Sequence, residues 1–246
     1  SFFLLAPGYT LADSAYGSPE DPLHKPAYVE NKEDLVDVHV VPRPSSFQPF
    51  PPTVANIDIV ELLEQLDEPL ILGYLENITG FGPRLSGTEA CEQAGQYLYE
   101  TFQDMGVAVR YHNYTDSVVS GSNIEATVYG TDSSNIFIVC AHYDSVAGSP
   151  GADDDGSGVA AVLAAAEIMR NYEFYHTVRF VCFSGEEQGL IGSRHYANDA
   201  YNSNDSIIAV LNADMIGFAP SYSDSIQGKI FTNDPSKWIV EFTRDI

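Results

Sequence analysis

The chain of 246 residues carries 35 acidic against 11 basic side chains, a formal charge of −24, with 44% apolar and 12% aromatic residues. That balance repels phosphate backbones and anionic membrane surfaces and so argues against nucleic-acid and membrane partners, while the apolar content sets the chain apart from disordered sequences. It holds no run of about 18 apolar residues that could span a bilayer, and its three cysteines, Cys91, Cys140 and Cys182, none in a CxxC, argue against a disulfide framework or a cysteine zinc site.

Residues 1–52 read as an extension or propeptide-like segment. A short apolar patch, Phe2 to Ala6, is followed by Pro42, Pro44, Pro49, Pro51 and Pro52, which favour an extended polyproline linker. The patch lacks the basic start of a secretory signal. Residues 53–246 form the second unit. Ile57, Val60, Leu63 and Leu66 recur at helical spacing, and residues 89–105 predict a helix that Gly106 ends. Strands follow at 107–111 and 124–129.

Three later segments share one design, a short apolar run that ends at a polar cluster. They are 136–141 before His142, 177–183 before Gly185-Glu186-Glu187, and 207–211 before Asn212 and Asp214. Helices are predicted between them, from Ser157 to about Met169 and from Leu190 to about Ala200. Strands with no room for alternation, separated by helices, indicate an α/β fold: a mixed, mostly parallel sheet covered by helices on both faces. In such sheets ligands bind outside the carboxyl ends of the strands.

Those ends present His142, Asp144, Asp153, Asp154, Asp155, Glu186, Glu187 and Asp214. Seven carboxylates and one imidazole in one crevice would raise each other's pKa values, and divalent cations relieve that repulsion. The imidazole shifts the preference from calcium or magnesium towards zinc, cobalt or manganese, and the number of ligands favours two ions over one. Taken singly, the Asp153–Asp155 run reads as an acidic turn, Glu186-Glu187 as surface charge and Asp144 as a turn cap. His24, His39, His112, His176 and His195 read as ordinary histidines, and Cys140 and Cys182 as core residues. The joint occurrence at three strand ends is what favours a site.

Ala141-His-Tyr-Asp-Ser145, Pro150-Gly-Ala-Asp-Asp-Asp-Gly-Ser-Gly158, Phe183-Ser-Gly-Glu-Glu-Gln-Gly-Leu190 with Gly192-Ser-Arg-His-Tyr196, and Leu211-Asn-Ala-Asp-Met-Ile-Gly217 resemble the co-catalytic dizinc exopeptidases. That family includes secreted leucyl aminopeptidases, glutamate carboxypeptidase II, glutaminyl cyclases and the catalytically inert transferrin receptor. The likeness covers roughly Asn56 to the end of the chain and implies the zinc exopeptidase (phosphorylase/hydrolase-like) fold. It further implies that His142 and Asp214 bind one zinc, that Asp154 bridges two, and that Glu187 binds the second. Asp144 would orient the His142 ring, Glu186 would be the general base, and the Asp154–Asp155 peptide would be cis.

The family completes its second zinc with a later His, and no His follows His195 here. Asp234-Pro235 starts a helical face of Trp238, Ile239, Phe242 and Ile246 that has no terminator. With no initiator Met, these features lead to the expectation of a fragment. Such a fragment would hold one zinc well, the second weakly, and turn over little.

The function expected is a zinc aminopeptidase acting on peptides with a free, apolar N-terminal residue. The alternatives are a glutamate-type carboxypeptidase, which would need a basic pocket, and a non-catalytic binding module, which should have lost ligands or base. A glutaminyl cyclase should not need the complete Gly-Ala-Asp-Asp-Asp-Gly-Ser-Gly motif. Sequons at Asn77, Asn113 and Asn204, with the acidic surface, point to a secreted or periplasmic location.

Overall fold

The structure, a computed structural model, describes residues 59–219 together with the backbone of Phe2–Leu5 and Ile230–Thr232. The polyproline segment and the helix expected around Trp238 lie outside the described residues.

Five main strands run β2 (Ala108–Thr115), β3 (Ser120–Val128), β4 (Asp132–His142), β5 (His176–Phe183) and β6 (Ile207–Ala213), in the spatial order β2-β3-β5-β4-β6. β4 lies parallel to both β5 and β6, and β3 lies antiparallel to both β2 and β5. Beyond β6 the backbone of β1 (Phe2–Leu5) pairs antiparallel with it, and β7 (Ile230–Thr232) pairs parallel with β1. The sheet is therefore mixed, parallel at its centre where the apolar runs required double coverage.

Alternation along the central strands feeds two cores. Ala141, Val178, Phe180 and Cys182 face one layer, built by α3 (Glu89–Asp104) and α4 (Gly158–Met169). Ile136, Ile138, Cys140 and Val181 face the other, where Tyr196 of α5 (Ile191–Asn202) covers them. α4 is apolar on nearly all sides because it lies between the sheet and α2 (Glu68–Thr79). Leu98 and Phe102 of α3 are fully buried, and truncating either to Ala costs about 2–5 kcal/mol.

Local signals set the helix ends. Thr88 caps α3 by accepting from Cys91 N, and Gly106 takes a left-handed φ of 76° just after the helix, as its position in the sequence predicts. α2 was not anticipated. Asp67 caps it, accepting from Leu70 N at 2.9 Å, with Pro in the first turn. α1 (Ile59–Glu64) forms where the spacing of Val60 and Leu63 predicts a helix, yet both side chains are exposed. All three cysteines are free and buried.

Candidate metal centre

Register brings the predicted ligands together. Cys140 lies opposite Val181 on one side and Asn212 on the other, so His142, the residues after Phe183 and Asp214 leave the sheet at one edge. His142 Nε2 lies 3.1 Å from Asp154 Oδ1 and 3.9 Å from Glu186 Oε2. The Asp154–Asp155 peptide is cis. Gly151, at φ 56°, opens the acidic turn, where a Cβ would meet Asp154 O and the Ser145 side chain.

The seven carboxylates separate into two kinds. Asp144, fully buried, accepts Glu186 N on one oxygen and Glu187 N on the other, each at 3.2 Å. Its nearer oxygen lies 3.6 Å from His142 Nδ1, whose hydrogen-bond partner is instead the Asp144 carbonyl at 3.2 Å. Asp144 thus anchors the Glu186-Glu187 backbone more directly than it holds the imidazole.

Asp155, also fully buried, accepts His142 N at 3.1 Å on one oxygen, and Gly158 N at 3.1 Å and Met215 N at 3.2 Å on the other. Asp153 Oδ1 accepts Gly217 N at 2.8 Å, and Ser157 Oγ accepts Ile216 N at 3.0 Å. Three successive amides after Asp214 are therefore held by the acidic turn.

His142, Asp155 and Asp214 offer ligand atoms within 4.8 Å of one another. Both Asp155 oxygens, however, are already filled by amide donors, whereas the Asp154 side chain is 48% exposed. Asp154 is the better donor to an ion on that ground, and Asp155 the better frame.

Burial shifts the titration of the residues at this edge, Asp155 included, whose carboxyl it raises well above the ordinary range. Burial opposes the charge on His142, but the neighbouring carboxylates of Asp144 and Asp154 outweigh it and hold its pKa well above the ordinary range. Burial pushes Glu186 up to about 6, and the charges of Asp144, Asp214 and Asp154 add to the rise against the opposing pull of His142. Burial and then Asp154 push Glu187 up to about 7, and burial raises Asp214. Glu187 Oε1 is buried with no hydrogen-bond partner. An orphaned buried carboxylate oxygen is costly, and a divalent cation would satisfy it. The residues fit a metal.

The motif reading missed Arg84. Its guanidinium is completely buried and bonds Tyr143 O, Ile78 O, Gly82 O, Pro150 O and Gly151 O. An arginine in a Gly82-Pro83 turn was the one available signal. His112 and His195 lie away from the metal residues, paired with Asp199 and Asp116.

Residues 123–243 match Peptidase family M28. A protein described as a probable zinc metalloprotease of Pyrenophora teres f. teres is 27% identical over 238 residues, covering 85% of this chain and 50% of its own. Leucine aminopeptidase 1 of Paracoccidioides brasiliensis is 28% identical over 187 residues, covering 68% and 48%. The crystal structure of LapB from Legionella pneumophila matches with a TM-score of 0.62 at 26% identity, over 69% of this chain and 49% of that one. Glutaminyl cyclases share the fold at lower identity. The chain spans about half the length of the curated relatives it matches.

Proposed function

Because the chain belongs to peptidase family M28, we propose that it is a zinc-dependent aminopeptidase that removes N-terminal, apolar residues from peptides. Residues 53–246 would supply the catalytic domain and residues 1–52 an extension ahead of it. The observation that carries this reading is the convergence of His142, Asp154, Glu186, Glu187 and Asp214 at one sheet edge, with Glu187 Oε1 buried and unpaired. His142 and Asp214 would hold one zinc, Glu187 another, and Asp154 both.

Zinc in such a site supplies Lewis-acid activation of water and of the scissile carbonyl. Glu186 then works as general base. A carboxyl near 6 is mostly ionised at neutral pH, so an oxygen of Glu186 accepts a proton from the attacking water and returns it to the departing amine. Its own amide and that of Glu187 are fixed on Asp144, which keeps base and ligand from exchanging places. The cluster of acidic residues at this edge favours a substrate that brings positive charge, and the free N-terminus of a peptide does so.

Residues 59–219 hold five arginines and no lysine. Arg84, Arg110, Arg170 and Arg179 are engaged with backbone carbonyls, Glu125, Met105 O and Asp205, which disfavours the basic pocket of a glutamate-type carboxypeptidase. His142, Glu186 and Glu187 are all retained, which disfavours an inert binding module. We also propose export from the cytoplasm, since the sequon residues Asn77, Asn113 and Asn204 are all exposed.

The test is hydrolysis of Leu-p-nitroanilide against N-acetyl-Leu-p-nitroanilide by the full-length protein, with zinc counted by plasma emission. Cleavage of the free-amine substrate alone is expected. Equal cleavage of the blocked one overturns the aminopeptidase reading, and full activity without metal overturns the zinc reading.

A further inference from the structure

The longest-range polar contacts around the metal centre converge on a turn that the mechanism does not use. Arg84 Nε donates to Tyr143 O at 2.7 Å, one residue after His142. Nη1 reaches Pro150 O and Nη2 reaches Gly151 O at 3.2 Å, just ahead of the acidic turn, while Nη1 also holds Ile78 O at 3.2 Å and Gly82 O at 3.4 Å. The backbone joins in: Arg84 N donates to Ser145 Oγ at 2.9 Å, and Ser145 N donates to Arg84 O at 3.2 Å. Two residues on, Ser86 Oγ accepts Gly185 N at 2.7 Å, next to Glu186. The turn thus touches two of the three ligand-bearing strand ends.

A fully buried guanidinium needs a reason, because burial works against its charge. No ion pair to a carboxylate accompanies it among the described residues. Asp144 and Asp155 support its charge from a distance. Its donors go to carbonyls at both ends of the loop that separates His142 from Asp154. Only a planar fork reaches carbonyls in several directions at once, and a lysine ammonium donates from a single point.

We propose that Arg84 is a positioning residue that sets the spacing of His142 and Asp154, clamping both ends of the 143–151 loop before any ion binds. The proposal rests on the zinc reading above, and it goes beyond it by naming what preorganises the ligands. Residues that orient metal ligands from outside the coordination sphere change affinity by about 10–100-fold when replaced.

The experiment compares wild type, Arg84→Lys, Arg84→Met and Arg179→Met in the full-length protein. Arg179 bonds Asp205 and Tyr196, so its loss tests general destabilisation away from the metal centre. Zinc affinity is measured by competition with a chromogenic chelator, thermal unfolding is followed by circular dichroism, and hydrogen exchange is read at residues 142–156. Arg84→Lys is expected to stay folded, lose about 10-fold or more in zinc affinity and exchange faster over 142–156. Arg179→Met is expected to lose stability and keep its zinc affinity. Wild-type affinity in a folded Arg84→Lys, or an equal loss in Arg179→Met at matched stability, overturns the proposal. Should Arg84→Met fail to fold, the lysine variant still decides. Wild-type protein that takes up no zinc sinks the metal reading instead, and the exchange at 142–156 then decides the clamp by itself.

Discussion

Replacing Asp144 with Asn tests how the site is held, because the sequence assigned this residue to the His142 ring and the structure assigns it chiefly to two amides. In the wild type each carboxylate oxygen accepts one N–H, from Glu186 and Glu187, both at 3.2 Å, in a fully buried position. Asn keeps one acceptor and turns an amide donor towards the other N–H. One hydrogen bond to a charged group is lost, about 1.5–3 kcal/mol, and a buried N–H is left unpaired at a further cost of about 1–3 kcal/mol. A destabilisation of about 2.5–6 kcal/mol follows, which for a domain of this size lowers Tm by about 5–24 °C. Urea unfolding of the metal-free protein is the assay, since it reads the anchor without the ion. Zinc affinity should fall about 10–100-fold as well. A metal-free Asp144→Asn protein that unfolds within about 1 kcal/mol of wild type, yet binds zinc poorly, would refute the amide anchor and return Asp144 to the imidazole alone.

Glu186→Gln should lower kcat by about 10²–10⁴-fold while leaving zinc stoichiometry unchanged, checked by steady-state kinetics alongside metal analysis. Ser157→Ala removes the acceptor for Ile216 N and should cost about 1 kcal/mol in urea unfolding, with a measurable drop in zinc affinity through Asp214. For Glu125 burial raises the pKa, but Arg110, Tyr196 and Arg179 outweigh it and hold it below the ordinary range. It therefore stabilises the fold above its unfolded pKa and loses that contribution as pH falls through the depressed value, so the stability gap between wild type and Glu125→Gln should narrow below about pH 4.3, and a gap independent of pH would count against the network. Because Glu187 is pushed to about 7 and His142 is also raised, zinc uptake at pH 6.5 should release protons, and release should shrink by pH 8; calorimetry in buffers of different ionisation enthalpy reads it.

The three ligand-bearing strand ends were legible because an apolar run that stops at a charged cluster is a local pattern. α2 was not, since Leu70-Ile71-Leu72 and Gly73 blur the helical period; the Asp67 cap with Pro69 was the readable sign. The division of labour among the seven acids was hidden for a different reason. Whether a carboxylate binds an ion or an amide depends on which N–H groups reach it, and the donors to Asp153 and Asp155 come partly from Met215 and Gly217, some sixty residues away. Arg84 was hidden most deeply, because four of its side-chain acceptors are carbonyls that any sequence would supply beyond the turn itself.

That division also changes how the charge of the chain is understood. If all seven carboxylates had competed for ions, the metal-free crevice would have had to unfold or protonate broadly. Instead Asp144, Asp153 and Asp155 accept backbone donors, with Arg84 behind two of them, and they tie the three strand ends to one another. Asp154, Glu186, Glu187 and Asp214 are the four carboxylates proposed above as ligands and base, and two divalent ions would bring four positive charges to that group. Amide bonds that tie the strand ends together without any ion would hold the frame in place, and on the proposed reading they would let Glu186 act as base beside Glu187 as ligand.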